Sequence, residues 1–485
     1  MPVYEQQPQF HAVPDRANWR YRPRRSFRHS KALRFGTLIT LLALCGLVIL
    51  ALVREQTGTE GFLAGLGLAV LPVPLMIAAF RWIDRVEPEP WRNLAFAFAW
   101  GACAATLMAI IANGFATEWI ATRVEPSSPT EAQTWGATVI APVVEESAKG
   151  AALLLLFVFR RRDFDGIVDG VVIAGITATG FAFTENILYL GNAFGEDQAL
   201  GSSGISVTAA TFFIRIVMSP FAHPLFTALT GIGFGIAALA TPRQRARRVL
   251  VPLAGLLTAI VLHAVWNGSA TVGGLGFIAV YGMFMVPVFG LLIWLVVWSR
   301  GSELKTVRAQ LPAYVAAGWL MPPEPQALAS MRARSLARSV ARRHHGKDAA
   351  RAVAEYESFA TTLAFLRQRA HRGTAGADFV AREQELLHHL WQRKEVAQPA
   401  LAHAALVTSP PRVAPQWGHG PGPQGRSPYG PGMPQPYGQG PYGQGRYGQG
   451  PYGQGHGVPP QHGPGPYGGG QGPAAPTDHR PPYGR

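Results

Sequence analysis

Long apolar stretches fill the first 300 positions; beyond them the apolar residues thin to helical spacing, and the chain closes on a Pro- and Gly-rich tract. Eight stretches, at 33–53, 62–82, 93–116, 136–159, 166–190, 219–240, 249–270 and 274–298, each hold about 20 residues. At 1.5 Å per residue each could cross a hydrocarbon core of about 30 Å. The pattern predicts an all-α fold: a polytopic membrane helix bundle of about eight spans over 33–300, behind a short segment 1–32. Over 301–400 apolar residues recur at three- and four-residue spacing, as in Tyr356, Phe359, Leu363 and Leu366. This predicts a cytoplasmic helical region, with Gly346, Gly373 and Gly376 as breaks between helices. Residues 401–485, rich in Pro, Gly, Gln and Tyr, lack the groups that build a core and are expected to be a disordered tail.

Charge adds an orientation. Arg20, Arg22, Arg24, Arg25, Arg28, Lys31 and Arg34 precede the first stretch, and every second connection is again basic, through Arg81, Arg85 and Arg92, Arg160 to Arg162, Arg243 to Arg248, and Arg300 and Lys305. The alternate connections are read as carrying Arg54 and Arg123 against seven acids, among them Glu55, Glu118, Glu125 and Glu196. This asymmetry predicts a multi-pass protein of the cell membrane with both termini in the cytoplasm. It also accounts for the net charge of +15 without nucleic acid, for which there is no recognition motif. Cys45 and Cys103 both fall within apolar stretches, which leaves neither a disulfide framework nor a cysteine metal site. The paired His344–His345 and His388–His389 sit in Arg-rich amphipathic sequence and are read as a solvated face.

What the spans would hide is polar. An ionisable group at bilayer depth is expensive, so each one is a candidate functional residue in need of a partner. The fourth stretch carries Glu145, Glu146 and Lys149; the i, i+4 spacing lets Glu145 lean on Lys149 while Glu146 points about 100° away, free for chemistry. The fifth carries Glu185 and Asn186 after Asp165, Asp169 and a run of small residues, Gly166, Gly170, Ala174, Gly175, Ala178 and Gly180, suited to close helix packing. His223 and Thr227 open the sixth, and His263 and Asn267 share a face of the seventh. Counted from the outer boundary, Glu146 lies on the order of 15 Å deep, Glu185 and His263 on the order of 10 Å, and His223 slightly higher. Acid and imidazole groups from four helices thus meet at one level.

Two carboxylates, two imidazoles and an amide suffice to split an amide bond with water. A partly desolvated carboxylate can take the proton of water and return it to the leaving amine, and an imidazole or amide can hold the oxyanion. Alternatively His223, His263 and Glu185 could bind a divalent metal such as zinc. There is no H-E-x-x-H, and Ser147 and Ser219 lack the setting of a serine nucleophile. Glu, His and Lys on facing spans are also relay parts of an ion-coupled transporter, but the two halves share no pattern of broken helices.

In this order the segments E-E-S-A-K (145–149), D-G-I-V-D-G (165–170), F-A-F-T-E-N (181–186), H-P-L-F-T (223–227) and H-A-V-W-N (263–267) resemble the PrsW family of intramembrane proteases, within the larger group that includes the type II CAAX prenyl endopeptidases. The resemblance covers about residues 60–300. It implies a hydrolase acting on a membrane-anchored protein near the extracytoplasmic face, an anti-sigma factor in the family's best-known case. By similarity Glu145 and Glu146 would activate water, with Glu185, His223, His263 and Asn267 as the polar wall and Lys149, Asn186 and Thr227 in support. The prenyl endopeptidases carry His where this chain has Glu185, and an Arg one position after the place of this chain's Lys149, which favours the PrsW branch.

Overall fold

The computed structural model describes residues 13–14, 16, 29–123, 133–160, 164, 166–201, 206–241 and 243–408. Every regular element among them is helical. Readings that fall on the basic residues up to Arg28, on Asp165, on the loops 124–132 and 202–205 or on the tail beyond 408 lie outside the described residues.

Helix α1 (His29–Val70) turns at Gly58, whose φ of 73° only glycine adopts without strain. The turn folds Ile49 and Val53 against Phe62, Leu66 and Ala69. After α2 (Pro72–Ile83) come α3 (Trp91–Ala99) and α4 (Thr106–Arg123), joined through a π-helical turn at Trp100–Ala105. Another π-helical turn, Gly136–Ile140, leads into α5 (Ala141–Phe159). Helices α6 (Ile167–Leu200), α7 (Ala222–Ala238), α8 (Arg245–Ser269), α9 (Gly273–Val280) and α10 (Val286–Gln310) complete the bundle.

Five helical stretches among the described residues are long and apolar enough to cross a membrane: Gly36–Ile83, Trp91–Ile120, Ile167–Leu200, Val207–Ala238 and Arg245–Ala316. This differs from the eight separate stretches expected, for two physical reasons. The first and last, at 48 and 72 residues, each hold successive helices that meet at a single glycine outside helical φ/ψ, Gly58 and Gly273 (φ 77°), with no longer loop between them. Helix α5 carries Glu145, Glu146 and Lys149 so close together that every window long enough to span contains all three charges.

Helix α6 is the axis of the bundle. It is apolar on all sides and buried along most of its length, as a central helix must be. Lipid tails give helices no hydrophobic reason to associate, so close approach through small residues has to do the work. A Cβ placed at Gly170 would lie 2.0 Å from the Gly231 carbonyl oxygen of α7, one at Gly180 2.2 Å from that of Phe98, and one at Gly175 2.0 Å from the Phe80 ring. The outer faces of α1, α8 and α10 expose Leu41, Leu47, Leu253, Leu257, Leu291 and Trp294, the surface a bilayer would cover.

Beyond α10 the chain forms a helical domain of another kind. Helices α11 (Met331–His371) and α12 (Phe379–Thr408) enclose Tyr314, Leu328, Val353, Tyr356, Leu363, Leu387, Leu390 and Leu401. Gly346 bends α11 at a φ of 83° and Gly373 follows its end, as the sequence predicts. Two readings need correction. The helical region continues past 400 to Thr408, because Leu401, Ala404 and Ala405 still face the core. His389 is half-buried, stacked on Phe359 at 4.7 Å, whereas His344 and His345 are exposed as expected.

Candidate active site

The π-helical turn before α5 and Pro142 near its start set the helix so that Glu145, Glu146 and Lys149 point into the bundle, all of them buried. The Lys149 ammonium has three hydrogens and three acceptors: Glu146 Oε1 at 2.9 Å, Glu145 Oε2 at 3.3 Å and His223 Nδ1 at 3.3 Å. Phe181 of α6 lies 3.9 Å away and presents its ring face to that ammonium. The expected division between the two acids is therefore corrected. Lys149 reaches both, and Glu146 is the carboxylate sealed from solvent, while Glu145 opens onto a cavity of about 480 Å³.

Glu146 has its oxygens fully engaged. Oε2 accepts from the Thr227 hydroxyl of α7 at 2.8 Å, and Oε1 lies 3.1 Å from His263 Nδ1 of α8. An ionised carboxylate only accepts, so Nδ1 carries the hydrogen and His263 Nε2 keeps its lone pair. That lone pair faces Glu145, whose Oε2 is 3.9 Å away. His223 repeats the arrangement from α7. Its Nε2 meets Glu185 Oε2 at 2.8 Å, which leaves Nδ1 as the acceptor on the inner side. The two rings stand edge to face with centroids 5.3 Å apart, and Phe226 stacks on His263 at 4.8 Å.

Glu185 is held in turn by Arg215, whose Nη2 donates to it at 2.5 Å while Nε donates to Asn186 Oδ1 at 2.8 Å. The guanidinium also lies 3.9 Å over the Tyr189 ring. The charge pattern read from the sequence omits Arg215, in the connection before residue 219. It sits on the π-helical segment Phe213–Met218 that precedes α7. The available signal was a lone arginine in an apolar run, opposite in sign to Glu185. Asn267 lies on the cavity wall but apart from the acids, donating to the Ala137 carbonyl at 2.9 Å.

Residues 89–293 match the sequence profile of the PrsW family of intramembrane metalloproteases. Residues 89–293 thus form a PrsW-type domain. Over 198 residues the chain is 27% identical to Protease PrsW of Geobacillus kaustophilus (strain HTA426), covering 41% of this chain and 76% of that protein. No solved structure matches. The PrsW-type domain makes the chain a membrane-embedded hydrolase, a protease whose substrates are proteins of the membrane.

A metalloprotease family implies a metal, and the donors present fit one. Glu145, His223 and His263 offer ligand atoms all within 4.8 Å of one another. This replaces the expected set of His223, His263 and Glu185: Glu185 is turned to the outer nitrogen of His223 and to Arg215, and Glu145 takes the third place. Each imidazole has its far nitrogen on a carboxylate, the arrangement that orients metal-ligating histidines and raises their basicity. A cation there would take two of Lys149's three acceptors and leave it Glu146.

Proposed function

We propose that the PrsW-type domain cuts a peptide bond of a membrane-anchored protein in the outer half of the bilayer, near the extracytoplasmic face. An anti-sigma factor under regulated proteolysis is the substrate class we infer, and the chain crosses the membrane eight times with both termini in the cytoplasm. The observation that carries the reading is the convergence of Glu145 and the two imidazole lone pairs at the cavity, where Glu145 and His223 line the wall and His263 lies buried behind them, with His263 backed by the buried Glu146 and His223 by the half-buried Glu185.

Glu145 is the carboxylate that meets water and substrate. It accepts the proton of the attacking water and delivers it to the leaving amine. Glu146 and Glu185 hold His263 and His223 in their tautomers, and Thr227 and Lys149 hold Glu146. Asn267 and Arg215 keep N–H groups on the cavity wall for the substrate carbonyl oxygen, with Asn186 steadying Arg215. With a divalent cation of the zinc type, Glu145, His223 and His263 would be the residues that hold it; the cation would supply an acidified water and a polarised carbonyl, and Glu145 would then serve as ligand rather than as proton carrier.

The test is cleavage of a single-pass membrane reporter by the purified chain, with proteomics of shed ectodomains to find the native substrate. Glu145→Gln and His263→Ala should lose at least about 100-fold in rate, since general acid–base groups contribute roughly 100- to 10,000-fold. Glu383→Gln, a buried acid of the C-terminal helices, should stay within two-fold of wild type. Full cleavage by Glu145→Gln would show that Glu145 does not carry the proton, and no cleavage by the wild-type chain would favour the transporter reading.

A further inference from the structure

Helix α2 begins at the active cavity, where Pro72, Val73 and Met76 line the wall, and ends at a second cleft of about 530 Å³. Four arginines line that cleft: Arg81 and Arg85 from the end of α2 and the turn after it, and Arg338 and Arg342 from α11. On α11 the stripe is Ser335, Arg338, Ser339 and Arg342, the three- and four-residue spacing of one helical face.

Only two of the four have acids. Arg81 bonds Asp84 at 2.8 Å and the Glu89 carbonyl at 3.0 Å, and Arg338 pairs with Glu357 at 3.2 Å. Asp84 Oδ2 is further committed to the Glu89 N–H at 2.8 Å. Arg85 and Arg342 are exposed and have no carboxylate partner among the described residues. Guanidinium groups on facing walls repel one another unless an anion lies between them.

The walls are fixed as well as charged. The buried Arg334 of α11 donates to the Val86 carbonyl at 2.9 Å and to Thr361 at 2.7 Å, and Thr362 donates to Glu87 at 2.8 Å. These bonds dock α11 on the turn between α2 and α3. The cleft also lies at the level of interfacial aromatics: exposed Trp82 and Trp91 carry Arg300 and Arg81 over their rings at 5.0 and 4.6 Å. Indoles of this kind mark a membrane–water boundary.

We propose that this cleft binds a phosphate group, carried either by the headgroup of an anionic phospholipid or by a soluble phosphate ester. Forked guanidinium donors match phosphate oxygens, and the Ser335 and Ser339 hydroxyls add neutral donors on the same stripe. Basic pockets beside transmembrane helices are where acidic headgroups bind.

The experiment uses the full chain in an uncharged detergent. Phosphatidylglycerol and phosphatidylcholine are supplied at equal mole fraction and the retained lipid is counted by native mass spectrometry. In a parallel arm inorganic phosphate is titrated and the thermal midpoint followed. The variant is Arg85→Gln with Arg342→Gln, and the control is Arg332→Gln with Arg343→Gln, which removes the same charge from exposed positions of α11 outside the cleft. A headgroup source predicts selective retention of phosphatidylglycerol that falls about 5-fold per arginine, roughly 30-fold in the double variant, and less than about 2-fold in the control. A soluble source predicts a phosphate-dependent rise in midpoint that the double variant loses and the control keeps. Equal retention by wild type and double variant with no phosphate-dependent shift overturns the proposal, and so does an equal loss in the control.

Discussion

Both halves of the described chain bury charge, and they do different things with it. In the C-terminal helices several buried charges are met by near neighbours and line neither of the two cavities described above. Glu383 accepts from Tyr314 at 2.6 Å and Arg367 at 3.4 Å, Glu324 accepts from Tyr356 at 2.8 Å and from the Met321 N–H, and Arg334 ends on two carbonyls and a hydroxyl. In the membrane domain the buried groups form a chain that stays open at one end, where Glu145 and His223 line a cavity and His263 lies behind them. Burial of charge alone therefore does not mark a site. A closed network supports a fold, and an open one supports chemistry.

The largest contrast should appear in metal retention. If Glu146 and Glu185 orient the imidazoles, then Glu146→Gln or Glu185→Gln should lower the metal held per chain after dialysis by about 10- to 100-fold, the usual effect of removing such partners. Tyr356→Phe in the closed network should leave it unchanged. Metal content indifferent to both carboxylates would erase the distinction drawn between the two regions.

Packing gives the next effect. Gly170→Val forces side-chain atoms against the Gly231 carbonyl and should cost about 1–3 kcal/mol, seen as a lowered midpoint in detergent unfolding. Gly301→Ala, where nothing lies within 4 Å, should cost nothing measurable.

The smallest effect is a pH drift of the C-terminal helices. Burial pushes the Glu357 carboxyl up from 4.5 to about 7, against the pull of Arg338 and Arg334. A carboxyl raised in the folded state binds more protons there than in the unfolded chain. Its contribution to stability is full below about 4.5 and is lost as the pH rises through about 7. Desolvation raises Asp84, Glu324 and Glu383 in the same direction, so Glu357→Gln should reduce the decline of the thermal midpoint between these pH values without removing it. An identical pH profile in the variant would show that Glu357 is not desolvated as the fold requires.

Much of the site was legible in the residues. Charges inside apolar runs have to find one another, and comparing depths at 1.5 Å per residue brings Glu146, Glu185, His223 and His263 to one level. Which acid faced the cavity was not legible. Helical spacing fixes the angle between Glu145 and Glu146 but not the side on which the bundle opens, and Lys149 is long enough to serve both. Arg215 escaped because it precedes the apolar run of α7 on a π-helical turn, whose altered phase no regular periodicity anticipates. The helix count differed for a related reason: at Gly58 and Gly273 helix resumes directly on either side of one glycine of positive φ, so stretches that the sequence separates follow one another without a longer loop. The small-residue run of α6 was read correctly, since close helix contact has few other sequence solutions.

Helix α6 meets its neighbours through glycines on several sides and carries Glu185 on the same rigid rod. One inserted residue turns everything beyond it by roughly 100°. An insertion between Gly180 and Glu185 would swing the carboxylate away from His223 while leaving Gly170 seated on Gly231. Selection should accordingly admit length variation in the connections on either side of this helix and almost none within it, so that 34 residues are inherited as a block of fixed length.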